Sequence, residues 1–338
     1  MLKKVTSSDI NIFTQQLKSL IKSKVGLLPA LNILYEETPK ESMRDIIHDL
    51  YDAVAKGRMF SESLEQHPRL FSSLYVSIIK AGENAGHLED ALNQISVFIS
   101  SQEELKMKVR VALAYPLFMF LMGVITILIL FSFVIPRLGM IFSDFGGALP
   151  LPTKLLLGGG RLFSNLWFWL VVAIVGILSF RFIDLSRVKM RIPVWGKIIK
   201  QEAIARFSRS LSLLLNGGVS IFEALKIAAP SLDNYQMIEE IKQAREKVVA
   251  GSSLTNAMKD LHSFPPYFRR MISVGEKGSK LEGVLVELAD NYERQVEIGL
   301  KMVTSLIEPV IILILGLVLG VIIIAMLLPI FQMNLLAR

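Results

Sequence analysis

The strongest constraint on this chain is that one pattern is written twice along it, and each copy runs into a long uncharged stretch. Phe13, Leu17, Leu20, Val25, Ala30, Leu31, Ile33 and Gly57 recur 194 positions later as Phe207, Leu211, Leu214, Val219, Ala224, Leu225, Ile227 and Gly251. Farther along, the offset is 193. Gly82-Glu83 returns as Gly275-Glu276, Leu88-Glu89 as Leu281-Glu282, Pro116 as Pro309 and Pro136 as Pro329. A repeat at fixed period reports architecture before chemistry. Here each copy is a charged, amphipathic module followed by an apolar span bracketed by prolines.

That second half of each copy points to a membrane. The chain is 52% hydrophobic with a mean hydropathy of +0.49, and crossing the hydrocarbon core takes about 20 apolar residues. Three stretches qualify: 111–135, uncharged between Arg110 and Arg137; 162–182, uncharged from Leu162 to Phe180; and 308–330, uncharged after Glu308. The expected organisation is a first module over 1–110, a span over 111–135 and an external loop over 136–161. A span over 162–182, a second module over 183–307, a span over 308–330 and an external tail over 331–338 follow.

The first hundred residues lack a short apolar core with a cleavage site, so the first module is expected to stay in the cytoplasm. Basic residues fit that orientation. Lys106, Lys108 and Arg110 precede the first span, and Arg181, Arg187, Lys189, Arg191, Lys197 and Lys200 follow the second against one acid, Asp184. The loop between them carries only Arg137, Lys154 and Arg161, which is the positive-inside bias. Two equal modules, each with an outbound span after it, share one compartment only if an extra span brings the chain back. The middle stretch, absent from the second copy, does that.

The net charge of +7 raises the question of nucleic acid. Residues 1–110 hold 14 basic and 14 acidic side chains, so the excess lies beside the membrane, where anionic headgroups account for it. No cysteine is present, which excludes disulfides and thiolate metal sites.

Inside the modules the apolar spacing is helical. Phe13, Leu17, Leu20 and Ile21 fall at i, i+4, i+7 and i+8, as do Phe207, Leu211, Leu214 and Leu215. Gly26, Pro29, Pro39, Gly57, Pro68, Gly82 and Gly86 punctuate the first module into five or six helices, expected to pack as a bundle. Thr6 and Asp9 have capping-box spacing. The most specific local pattern is Gly82-Glu83-Asn84-Ala85-Gly86-His87-Leu88-Glu89, echoed by Gly275-Glu276-Lys277-Gly278-Ser279-Lys280-Leu281-Glu282. Glycines around a Glu, with Leu opening an amphipathic run, predict a sharp turn with an acid near a helix N-terminus. A catalytic Glu would need a recurring partner, and no His, Ser or second carboxylate recurs with it.

Chemical motifs are otherwise lacking. Gly275 to Lys280 is not the Gly-x-x-x-x-Gly-Lys-Ser/Thr phosphate loop. Ser19–Lys22 and Ser77–Lys80 have Ser-x-x-Lys spacing without companion motifs. His48, His67, His87 and His262 show no zinc spacing. No enzyme activity, cofactor or metal is expected.

In the spans, polar groups are functional candidates. Glu308 precedes Pro309, and its counterpart is Tyr115 before Pro116. The plain expectation is an interfacial acid paired with Lys301 or Arg110; the alternative is a part in coupling span movement to the modules. Pro116 and Pro309 should kink or start their helices, and Gly316 with Gly320 would permit close helix contact.

Taken in order, Asn216-Gly217-Gly218-Val219 with Glu223-Ala224-Leu225, Gly251 with Leu254 and both Gly-Glu motifs resemble the type II secretion F-protein family. Tyr115-Pro116, Glu308-Pro309 and Leu328-Pro329-Ile330-Phe331-Gln332 extend the resemblance to nearly the whole chain. These are the platform proteins of type II secretion systems and type IV pili in the bacterial inner membrane. Two departures stand out: Ser23-Lys24 occupies the place of Gly217-Gly218, and Gly278-Ser279 that of Ala85-Gly86.

The resemblance implies an all-α polytopic protein coupling a cytoplasmic assembly ATPase to pilin or pseudopilin transmembrane helices. Other inner-membrane assembly proteins are implied as partners, along with self-association as a dimer or trimer, and nucleic acid is not. Gly82, Glu83, Gly86, Leu88, Gly218, Gly251, Gly275, Glu276, Leu281, Tyr115, Pro116, Pro136, Glu308, Pro309 and Pro329 are the residues expected to carry structure or coupling. A transporter built from parallel repeats is the alternative, although no span carries a charge at mid-depth.

Overall fold

The computed structural model describes residues 5–137, 158 and 193–336, and these residues are helical without a β-strand. The stretch 162–182 expected as the middle span lies outside the described residues, as does nearly all of the loop expected over 136–161. From the N-terminus the helices are α1 (Ser7–Lys22), α2 (Leu27–Glu37), α3 (Glu41–Ala55), α4 (Phe60–Glu65), α5 (Ser73–Ala85) and α6 (Leu88–Ile129). After α6 comes a π-helical turn, Leu130–Val134. The later helices are α7 (Pro193–Asn216), α8 (Ile221–Ala228), α9 (Tyr235–Val249), α10 (Leu254–Ala257), α11 (Pro266–Lys277) and α12 (Leu281–Leu336).

Residues 1–107 and 198–297 form one compact unit; 108–197 and 298–338 form the other. In the first unit, helices of both copies close around a single hydrophobic core. Phe13 packs against Phe71, which packs against Tyr75, with ring centroids 6.1 and 5.1 Å apart. Phe207, Phe264 and Phe268 make the corresponding group, at 4.9 to 6.3 Å. Burying an aromatic ring removes 150–250 Å² from water, so these groups are the main apolar anchors.

Local signals set the helix ends. Thr6 and Asp9 cap α1 reciprocally: the Asp9 carboxylate accepts the Thr6 amide at 2.6 Å and the Thr6 hydroxyl accepts the Asp9 amide at 3.4 Å. Three helices of each copy end in the same left-handed turn, in which the residue after the turn donates back five positions. Val25 donates to Leu20 at 3.1 Å and Val219 to Leu214 at 3.0 Å; Arg58 donates to Ala53 at 3.1 Å and Ser252 to Lys247 at 2.9 Å. His87 donates to Gly82 at 2.7 Å and Lys280 to Gly275 at 3.0 Å. Glycine takes the positive φ at Gly57, Gly86, Gly218 and Gly251, whereas Lys24 (φ 64°) and Ser279 (φ 50°) take it in the other two. Both departures from the internal pattern therefore leave the turn unchanged and place an L side chain in a conformation costing about 1–2 kcal/mol.

Among the described residues, two helices are long and apolar enough to cross a membrane, over Leu88–Arg137 and Leu281–Ala325. Pro116 and Pro309 do not begin these helices, contrary to one expectation, but lie inside them. Each deprives the carbonyl four residues earlier of its donor. Pro136 lies two residues beyond the π-helical turn, where a missing donor favours the wider ladder, and Pro329 lies within α12.

Candidate functional site

Two constellations are repeated or shared between the copies, and together they hold most of the residues singled out from the sequence. The first is built by the Gly-Glu motifs. Glu83, in the last turn of α5, aims its carboxylate at the first turn of α4. It accepts the Phe60 amide at 2.6 Å, the Ser61 amide at 3.0 Å and the Ser61 hydroxyl at 2.7 Å. Glu276, in the last turn of α11, does the same for α10, accepting the Leu254 amide at 2.6 Å and the Thr255 amide at 2.7 Å.

The first four amides of a helix have no partner within it; here an acid from a distant turn supplies one. Burial alone would raise the pKa of Glu276, but hydrogen bonds from Thr255 and Leu254 outweigh it and hold the carboxyl below its ordinary value. Both carboxylates are thus engaged as structural acceptors. The helix N-terminus they serve is not that of the following helix, as the sequence suggested, but one more than twenty residues upstream.

The glycines of the motif divide the work differently from expectation. Gly82 and Gly275 are not turn residues; they lie inside α5 and α11 where another helix passes close. A Cβ on Gly82 would stand 2.3 Å from Ala91 Cβ and 3.0 Å from the His87 carbonyl oxygen. One on Gly275 would meet Leu281 Cα and Val284 Cβ at 3.1 Å. The positive φ falls four residues later, on Gly86 and Ser279, and Leu88 and Leu281 then open α6 and α12. Gly218 and Gly251 end α7 and α9 in the same way.

The second constellation lies in the spans. Tyr115 and Glu308 occupy the same place in the two copies, 193 residues apart, and they meet: the Tyr115 hydroxyl donates to Glu308 Oε1 at 3.3 Å. Pairing of Glu308 with Lys301 or Arg110 is not observed, and those two cations have no partner among the described residues. Pro116 beside Tyr115 is buried, while Pro309 is exposed. Two turns farther on, a Cβ at Gly123 would lie 2.7 Å from Leu315 Cδ2, so glycine permits the close approach of α6 and α12. Phe131, Ile135 and Ile322 then form a small apolar cluster. No described residue would lie within 4 Å of a Cβ on Gly316 or Gly320; the close approach of α6 and α12 is made at Gly123.

One polar pairing separates the copies. Gln15 on α1 donates to Ser100 Oγ on α6 at 3.0 Å. The counterpart of Gln15 is Arg209 on α7, which bonds Asp290 and reaches both Glu293 oxygens at 3.1 Å on α12. A neutral contact in the first copy is a charged one in the second. Among the described residues no cluster of His and carboxylates could hold a metal ion.

Two stretches of the chain, 13–136 and 207–329, match the family described as type II secretion system (T2SS), protein F. The chain is 34% identical to the type IV pilus assembly protein PilC of Thermus thermophilus over 96% of its length and 82% of that protein's. It is 32% identical to the type IV pilus assembly protein TapC of Aeromonas hydrophila, over 98% of this chain and 83% of the relative. Type II secretion system protein F of Pseudomonas aeruginosa is 30% identical over 98% and 84%.

Proposed function

Because the chain belongs to the type II secretion system protein F family, we propose that it is the inner-membrane platform of a type IV pilus or type II secretion machine. In this role it passes movement from a cytoplasmic assembly ATPase to pilin or pseudopilin helices in the membrane. The two modules are cytoplasmic repeats, the N-terminus is cytoplasmic and the chain crosses the bilayer three times, the middle crossing being 162–182. It works as a dimer or trimer beside other inner-membrane assembly proteins, and its own part is mechanical rather than catalytic.

The observation that carries this reading is the common core. Helices of both copies contribute to one hydrophobic cluster, which supports reading the two modules as occupants of one compartment. From it α6 and α12 each run on as one unbroken helix of 42 and 56 residues. A continuous helix is the stiffest connection a chain can make between soluble packing and a membrane span. Carboxylate caps, glycine contacts and left-handed turns fix the approach to each such helix, as expected of parts that bear load. The Tyr115–Glu308 contact then joins the two spans near the level where they enter the bilayer.

The test uses the absence of cysteine in the natural chain. Asp49→Cys and Lys242→Cys, both at exposed sites, should react with an impermeant maleimide only after the cytoplasmic face is opened. Labelling of the two from opposite faces would end the proposal. A panel of charge reversals on exposed module residues should abolish filament assembly or secretion without lowering membrane insertion, and normal assembly throughout the panel would refute the coupling role.

A further inference from the structure

We propose that the entry to the two spans is an anionic-lipid site, in which Arg110 on α6 and Lys301 on α12 bind phosphate groups of bilayer phospholipids. Both side chains are exposed. Neither has an acidic partner among the described residues, and the acid at the start of the second span, Glu308, is bonded to Tyr115 instead. That bond fixes their level. Arg110 lies five residues before Tyr115 and Lys301 seven before Glu308, about 7.5 and 10.5 Å along their helices. The two cations therefore stand on the same side of the contact, at nearly one depth, on two helices that meet.

The surroundings suit a headgroup. From Leu105 to Arg137 the first helix and its continuation carry no acid; Lys106 is already paired with Glu103 one turn earlier, at 2.9 Å. Lys108 is the counterpart of Lys301, 193 residues earlier, so each span is preceded by Lys at the same step. Exposed Val111, Met302 and Leu306 flank the cations, offering apolar surface to acyl chains while the charged heads reach the phosphate plane. Nearby hydroxyls do not compete for the ligand: Thr304 and Ser305 bond the carbonyls of Leu300 and Met302 at 3.0 Å. Arginine supplies a planar fork for phosphate oxygens and lysine a point charge. A cation near an anionic surface is worth about fivefold in association, so two give up to about 25-fold.

The inference rests on reading α6 and α12 as spans. It is tested on the full chain in vesicles of phosphatidylcholine containing a minority of spin-labelled phosphatidylglycerol or spin-labelled phosphatidylcholine. The readout is preference for the anionic lipid at the protein boundary. The natural protein should prefer it, and the preference should shrink in 1 M NaCl. Arg110→Gln/Lys301→Gln should lower it at least about fivefold, while Arg110→Lys/Lys301→Arg keeps most of it.

Lys22→Gln/Arg58→Gln, which removes the same charge from exposed module positions, should leave the preference unchanged. Undiminished preference in the Arg110/Lys301 variant, or an equal loss in the module control, overturns the proposal. Displacement of the labelled lipid by inorganic phosphate overturns it in favour of a soluble ligand. Chain that is extracted by carbonate overturns the spans themselves, whereas firmly inserted chain without lipid preference overturns this site alone.

Discussion

Replacing Glu276 by alanine tests the carboxylate caps most directly. The natural side chain satisfies two amides, Leu254 at 2.6 Å and Thr255 at 2.7 Å, and Leu254 is buried, so water cannot fully replace the lost acceptor. Hydrogen bonds to a charged partner contribute about 1.5–3 kcal/mol each, and losing a helix cap costs about 0.5–2 kcal/mol. Because the two bonds share one carboxylate, the expected loss is about 2–4 kcal/mol rather than their simple sum.

The first compact unit has some two hundred residues, for which 1 kcal/mol moves the melting midpoint by about 2–4 °C. Glu276→Ala should therefore lower the midpoint of the detergent-solubilised chain by about 5–15 °C. Glu276→Gln, which keeps one acceptor, should fall between. Hydrogen exchange at the Leu254 and Thr255 amides should accelerate in step. The sign with pH follows from the depressed pKa of Glu276. Its stabilisation is complete above the ordinary carboxyl value of 4.5 and is lost as pH falls through the lower folded-state value, so the variant and natural proteins should converge in acid. A midpoint within about 1 °C of the natural protein at neutral pH would refute the capping role.

Three further outcomes are expected. Ser279→Gly should raise stability by about 1 kcal/mol by relieving a left-handed L residue, with Lys24→Gly gaining less because its ion pair with Glu89 at 2.8 Å is lost; chemical denaturation midpoints that fall in both would contradict this. Gly82→Ala should cost about 1–3 kcal/mol or more by overpacking, with partial recovery in Gly82→Ala/Ala91→Gly, and a neutral single variant would show that α5 and α6 do not approach so closely. Arg209→Gln should lower the melting midpoint by less than about 4 °C, since partly exposed ion pairs are worth at most ~1 kcal/mol, and the deficit should narrow in high salt as the repulsion between Asp290 and Glu293 is screened.

What the sequence by itself determined was local or one-dimensional. Apolar spacing around Phe13 and Phe207 fixes helices because their period is set by the backbone. Thr6 and Asp9 identify a helix start because the bonds that cap it span three residues. Uncharged runs before Arg137 and after Glu308 mark membrane helices because hydrocarbon excludes charge, and the 193–194 residue offset exposes the repeat without any coordinates.

The tertiary structure decided everything that depends on segments far apart in the chain. Glu83 and Glu276 could be seen to matter, yet their partners lie more than twenty residues upstream. Gly82 could not be told from a turn glycine until Ala91 was found against it. The Tyr115–Glu308 bond spans 193 residues; equal positions in two copies are recognisable on paper, but whether they touch depends on how two helices cross. A sequence encodes propensity at each residue, while contact is a property of the packed whole.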